Sequence, residues 1–359
     1  MSQCELAGRE EPVRKSCFLQ RSRPVADQLD AMSSPRNIYA DTTLSVTCCC
    51  IHKSYRLVPT KRVNQVIAYV FAEVSTRYRK EWGMEFYEFE AISTHYHLVL
   101  YDRFGKVGDF LKELNSLIAR ALNSARGTGG KFFAEEPGIQ TILGEGRVLE
   151  ACVYTLANAV SAGIVHKTGH WKGFSSFRME YGQERVIKKP CIGIWSTKQD
   201  HRNRKSSRRS GRARFANRSK KPETAILKLD RPRIFRELSD AELRAKIREK
   251  LAAREAEVRA KRAGKPVLGM KAAQKIDWRT VPAKGGELFG RQPTFSTETV
   301  EQRRAMKRLR RRFIRDYRLA LALWNAGERD VVFPAGTVRM RLRHNVLTEP
   351  IPLDLLLAA

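Results

Sequence analysis

Apolar residues recur along the first half of the chain with two periods, and the switch between them marks out the elements. Residues 42–52, "TTLSVTCCCIH", are dense in β-branched positions and predict a strand. In residues 60–83, "TKRVNQVIAYVFAEVSTRYRKEWG", Val63, Ile67, Val70 and Val74 fall three or four apart, which is one face of a helix, and Gly83 supplies a stop. Residues 84–93, "MEFYEFEAIS", and 95–102, "HYHLVLYD", read as two successive strands. A second helix is predicted over 106–127, with Phe110, Leu114, Leu117 and Leu122 on or near one face. A short strand, "IQTIL", precedes a third helix, "GRVLEACVYTLANAVSAG", which Gly163 ends. This order predicts an α+β fold of about 145 residues, a mainly antiparallel sheet with helices packed on one face.

The pattern changes downstream. Residues 201–222 hold ten Lys and Arg and no acid, the composition of a linker or arm. "SDAELRAKIREKLAAREAEVRAKRAGK" opens with the capping-box pair Ser239 and Glu242 and has only a thin apolar stripe. The helix predicted over 299–327 carries nine Lys and Arg against Asp316 alone between 303 and 318. Its Leu309, Phe313, Tyr317, Leu321 and Trp324 share one side, so it is expected to dock on something. The expected organisation is a loose tail over 1–38, a domain over 39–185, a basic linker over 186–236 and a basic, mainly helical C-terminal extension over 237–359.

Charge narrows the function classes. Lys and Arg number 68 against 38 Asp and Glu, a formal net charge of +30 over 359 residues. A polyanion explains such a surplus, and nucleic acid is the default. No apolar run approaches the roughly 18 residues of a membrane span, and the first residues hold no apolar signal core. The expected location is cytoplasmic and nucleoid-associated, without a membrane partner. The seven cysteines show no CxxC spacing, and three of them are consecutive at 48–50. That pattern suits small buried hydrophobes in a reducing compartment better than a disulfide framework or a zinc site.

Candidate chemistry begins at "STHYHLVLYD", residues 93–102. Side chains alternate across a strand, so His95 and His97 share a face about 7 Å apart, close enough to share an ion. Taken alone, the spacing equally fits two hydrogen-bonded strand histidines. In the third predicted helix Tyr154 and Asn158 lie one turn apart, beside the stripe Leu149, Val153, Leu156 and Val160. A helix docked by that stripe could hold a phenol and an amide over the histidine face. Two imidazoles and an amide oxygen would leave positions open on a divalent ion for a phosphodiester oxygen, beside a tyrosine nucleophile.

Four motifs in this order, "THYHLVLYD", "ALNSARG", "VYTLANAVSAGIV" and "HWKGFSSF", resemble the single-tyrosine HUH transposases, in particular the REP-associated tyrosine transposases related to the smallest insertion-sequence transposases. The likeness covers roughly residues 40–180. Tyr154 matches the family's nucleophile, and Asn158 matches the polar third metal ligand after His95 and His97. Trp171, Gly173, Ser175 and Ser176 match a downstream W-x-G-x-S-S. Thr94 stands where the family often has Asn, and Asn158-Ala159 where it has Asn-Pro. The resemblance implies a ferredoxin-like catalytic domain that cleaves single-stranded DNA beside hairpins. It further implies a 5′-phosphotyrosine intermediate, Mg²⁺ or Mn²⁺ as the ion, and a monomer or homodimer.

Such a substrate needs a basic surface. Arg120, Asn123 and Arg126 are the DNA-binding candidates beside the site, and Arg77, Arg79 and Lys80 are those for a hairpin stem. The arm at 201–222 and the helix at 303–318 would add salt-sensitive phosphate contacts. The competing classes are a degenerate copy that grips hairpin DNA without cutting, an RNA-binding protein and a membrane-surface protein. The presence of both histidines, the tyrosine and the asparagine speaks against the first. No RNA motif or aromatic sheet face supports the second.

Overall fold

The computed structural model describes residues 35–134, 136–195, 222–282 and 294–350. The expected N-terminal tail, apart from its last few residues, and nearly all of the 201–222 arm lie outside the described residues. The first half runs β1 (Thr42–Cys49), α1 (Lys61–Trp82), β2 (Glu85–Ala91), β3 (His95–Asp102), α2 (Val107–Arg126), β4 (Gly138–Ile142), α3 (Glu145–Leu156) and a single turn, α4 (Asn158–Ser161). There follow β5 (Glu184–Lys188), β6 (Thr224–Lys228), α5 (Asp240–Arg262), α6 (Met270–Lys275), β7 (Phe295–Ser296), α7 (Val300–Asn325) and α8 (Arg339–His344).

Local chemistry sets the ends of the central helices. The Thr60 hydroxyl accepts the Val63 N–H at 3.2 Å and starts α1, and Gly83 ends it at φ +56°, which a side chain would resist. The buried Asp102 carboxylate, at the end of β3, accepts the N–H groups of Lys106 (2.9 Å) and Val107 (2.7 Å) and so starts α2 from the previous element.

The sheet has the order β2-β3-β1-β4-β7. The first four strands are antiparallel to each neighbour, and β7 joins β4 in parallel. β1-α1-β2 and β3-α2-β4 are therefore two interlocked βαβ crossovers, the ferredoxin-like arrangement. They step in opposite directions along the sheet from antiparallel strands, so right-handed crossing puts α1 and α2 on the same face. That face is lined by Leu44, Val46, Cys48, Tyr96, Leu98 and Leu100, all buried. Phe71 of α1 packs against Phe86, Phe89, Phe110 and Phe174, with ring centroids 4.8–6.4 Å apart.

The expectation of helices on one face is corrected here. α3 lies across β2 and β3 on the opposite face, and β2 and β3 are buried almost throughout, whereas β1 alternates between buried and partly open positions. A strand with both faces covered loses its period-2 signature. The uncovered part of the second face, over β1 and β4, forms a cleft.

Segments beyond residue 185 are built onto this body. β6 pairs with β5, and Asp230 just after it takes the Arg79 guanidinium at 2.8–3.2 Å. α5 forms its capping box and buries Leu243, Ile247, Leu251 and Val258. Its Arg244 reaches through to Glu88 of β2 at 2.6 Å, with 5% and 0% of the two side chains exposed. α7 docks through Phe313, Tyr317 and Leu321 on Phe333, Met340 and Val346 of the chain that follows it. Cys48, Cys50 and Cys152 are buried free thiols; Cys49 is partly open and Cys191 exposed. No helix among the described residues is long and apolar enough to cross a membrane.

A buried ion pair broken on one side leaves an uncompensated charge. Arg244→Met is therefore expected to cost about 3–5 kcal/mol in urea denaturation, with Glu88→Gln in the same chain returning much of the loss. A loss below about 1 kcal/mol would contradict a structural role for the pair.

Candidate functional site

Antiparallel pairing puts Thr47 of β1 opposite His97 of β3, and Cys49 opposite His95. Each imidazole is tied at Nδ1 to a threonine hydroxyl at 2.9 Å, His97 to Thr47 and His95 to Thr94. Thr94 thus orients the His95 ring from the neighbouring position. The two rings stand nearly perpendicular with centroids 4.9 Å apart. With Nδ1 engaged, Nε2 is the nitrogen each ring turns outward. The Nε2 of His95 lies 3.3 Å from the Asn158 amide nitrogen. The Nε2 of His97 is buried without a hydrogen-bond partner among the described residues. Burial above all holds both rings neutral: His95 is pushed down to about 4, with Lys53 adding to the effect and Asn158 opposing it, and His97 to about 3, with His95 adding.

α3 carries the other half. Leu149, Val153 and Leu156 are buried in the core, and Val160 continues the stripe beyond the helix. This leaves Tyr154 on the cleft side, 48% exposed. Its ring meets His97 edge-on, with centroids 5.3 Å apart. The helix stops at Ala157 (φ −80°, ψ 0°) and restarts at Asn158, which turns the amide back towards His95. A proline at the next position would have no N–H to place. Here the Ala159 N–H goes instead to the buried Glu90 carboxylate of β2, at 2.9 Å.

The W-x-G-x-S-S segment holds that carboxylate in turn. The Ser175 hydroxyl donates to Glu90 (3.0 Å), the Ser176 hydroxyl donates to Glu88, and the Trp171 indole N–H donates to the Ala91 carbonyl (3.1 Å). The segment runs along the free edge of β2. A Cβ on Gly173 would run into the Trp171 ring. Burial pushes Glu90 up to about 8, against the pull of Ala159 and Ser175.

His95, His97, their two threonines and Tyr154 open into one cleft of about 890 Å³, and the Asn158, Glu90 and W-x-G-x-S-S groups lie behind it. Its floor is Ser45, Thr47, Cys49, His95, His97 and Gln140; one wall is Arg147, Glu150, Ala151 and Tyr154 of α3, and another is Lys250, Ala253, Arg254 and Glu257 of α5. Lys53 enters from the turn after β1, where His52 and Lys53 both hold a left-handed backbone (φ +53° and +52°).

The donor set fits a divalent cation. His95 turns Nε2 towards the Asn158 amide, which can present oxygen after a flip, and the His97 Nε2 has no hydrogen-bond partner among the described residues. Among those residues no group of three His, Cys, Asp or Glu is assembled, so an ion here would depend on the Asn158 amide.

None of the six DNA-binding candidates lines the cleft. Arg77 pairs with Glu113 (2.6 Å), and Arg79 with Asp230. Lys80 and Arg120 are exposed. Asn123 bonds the Gly130 carbonyl (3.1 Å) and the Thr128 hydroxyl (3.4 Å), fixing the turn after α2. Arg126 lies on the Trp278 ring at 4.7 Å and donates to the Arg56 carbonyl. Sequence reading missed Thr47, Glu90, Arg147, Lys250 and Arg254. The acids of "EFYEFE" were the available signal: carboxylates spaced through an otherwise aromatic strand have to be either solvated or partnered.

No family profile matches the chain, and no curated protein matches it. A solved structure of a REP-associated tyrosine transposase bound to a REP hairpin is similar at a TM-score of 0.34 and 16% identity, over 42% of this chain and 85% of that one. A likeness of that size is partial and assigns nothing to the site.

Glu90 gives a pH test. A carboxyl whose folded pKa is raised favours the folded state below its unfolded value and loses that contribution as pH rises through the folded one. Stability is expected to fall between about pH 5 and pH 8, and Glu90→Gln should flatten part of that slope in thermal melts. An unchanged slope would show that the carboxyl is ionised in the folded chain.

Proposed function

We propose that this protein is a single-stranded DNA endonuclease and strand transferase of the tyrosine transposase type, acting beside DNA hairpins. The observation that carries the reading is the half-exposed Tyr154 in the cleft wall, set edge-on to His97, whose Nε2 is buried without a partner among the described residues. Tyr154, His95, His97 and Asn158 carry the chemistry.

In this reading the Tyr154 oxygen attacks the scissile phosphorus. The new bond joins tyrosine to the 5′-phosphate, the P–O3′ bond breaks, and the departing oxygen leaves as a 3′-OH after taking up a proton equivalent to the one the phenol lost. The covalent link keeps the phosphodiester energy, so a second 3′-OH can attack it and join strands. A Mg²⁺ or Mn²⁺ ion held by His95, His97 and Asn158 would supply Lewis-acid polarisation of the phosphoryl oxygen. Thr47 and Thr94 hold each ring in place through Nδ1, and burial keeps both rings unprotonated. Tyr154 faces the histidines of its own chain, so one copy holds the complete set, whether the protein works as a monomer or a homodimer.

Incubation with labelled hairpin-bearing single-stranded DNA and Mn²⁺ is expected to give a covalent adduct on a denaturing gel. The adduct should vanish in Tyr154→Phe and in EDTA. An adduct that persists in Tyr154→Phe would overturn the nucleophile, and binding without an adduct would favour a hairpin-gripping protein. Separately, Mn²⁺ is expected to raise the melting temperature of the wild type but not of His97→Ala, with Thr47→Val weakening the ion about 10–100-fold. An equal rise in all three would place the ion elsewhere.

A further inference from the structure

α5 lies beyond the segment that resembles the transposases, yet it supplies a wall of the cleft. Its placement is rigid. Leu243, Ile247, Leu251 and Val258 are buried, and Arg244 is locked to Glu88 at 2.6 Å. Glu255 accepts the Thr168 N–H at 2.7 Å just past the α3–α4 break. Side chains three and four apart share a face, so this anchoring turns Lys250, Ala253, Arg254 and Glu257 into the cleft alongside Tyr154.

The small Ala253 leaves room between the two cations. Lys250 is exposed, and Arg254 is steered by Glu257 at 2.7 Å while 37% of its side chain stays open. Across from them α3 presents Arg147, itself held by Glu150 (2.6 Å) and the Thr297 carbonyl (3.0 Å). Glu150 is thus taken by Arg147, while Glu257 is shared between Arg254 and Lys261, at 2.7 and 2.6 Å; the α5 wall presents the exposed Lys250 and the partly open Arg254.

Building on the proposed strand cleavage, we propose that α5 is a strand guide, in which Lys250 and Arg254 bind backbone phosphates of the single strand next to the one Tyr154 attacks. An ammonium and a guanidinium on one helical face suit consecutive phosphates without reading bases. A helix pinned to the tyrosine helix from behind would fix the strand's direction past the nucleophile.

The test is binding of a fluorescent single-stranded oligonucleotide to the full chain carrying Tyr154→Phe, in EDTA, across a range of salt. Adding Lys250→Gln and Arg254→Gln is expected to weaken binding at least about fivefold and to lower the salt slope by about 1.4, at about 0.7 per single-strand phosphate contact. Arg248→Gln, on the same helix but facing away from the cleft, where it pairs with the exposed Glu180, should leave both unchanged; circular dichroism checks that all variants fold. If the double variant binds with the parent's affinity and slope while the Tyr154 chain still forms its adduct, the guide is refuted and the nuclease reading stands. If the double variant and Arg248→Gln lose affinity equally, α5 contributes only diffuse charge and the guide is again refuted.

Discussion

A buried imidazole nitrogen with no hydrogen-bond partner among the described residues is the constraint around which this site is arranged. An unsatisfied polar atom in the interior costs about 1–3 kcal/mol, and His97 bears that cost at Nε2 because the strand pleat, the Thr47 bond and the cover of α3 leave its ring no alternative. The same pleat sets His95 beside it, and the same cover sets Tyr154 against its edge. In the proposed function, a cation that takes that nitrogen's lone pair would remove the cost.

Two carboxylates on β2 extend the arrangement outward. Glu90 takes the N–H released where α3 breaks, and so holds the turn that aims Asn158 at His95. Glu88, two residues away, takes Arg244 and so fixes α5 against the same body. Both are partnered by the serines of the W-x-G-x-S-S segment along the strand's free edge. Substrate cleft, break and C-terminal helix are thereby connected through one strand, and a loosening of β2 would be felt at all three.

Much of this was legible in the sequence. The 3.6 period marked α1 and α2 to within a residue at each end, because each buries one stripe and ends at a glycine; the third helix, expected to run on to Gly163, breaks at Ala157 instead. The same-face histidines followed from strand alternation, and Tyr154 and Asn158 from helical spacing. What stayed hidden depended on long-range contacts. β2 and β3 are buried on both faces, so no alternation showed that α3 covers the second one. Arg77 and Arg79 read as candidates for a hairpin stem, and their carboxylate partners Glu113 and Asp230 lie 36 and 151 residues away. Thr47 becomes the partner of His97 only through the β1–β3 register, and α5 looks like a plain charged helix until Arg244 is seen reaching Glu88.

The central claim is that Tyr154 is the residue that receives DNA. Trypsin digestion of the protein–DNA adduct followed by mass spectrometry tests it directly, because the fragment spanning residues 148–167 contains Tyr154 as its sole tyrosine. The account predicts a 5′-phosphonucleotide mass on that fragment, localised to Tyr154. Nucleotide mass on any other tyrosine, or on a serine or histidine, would contradict it.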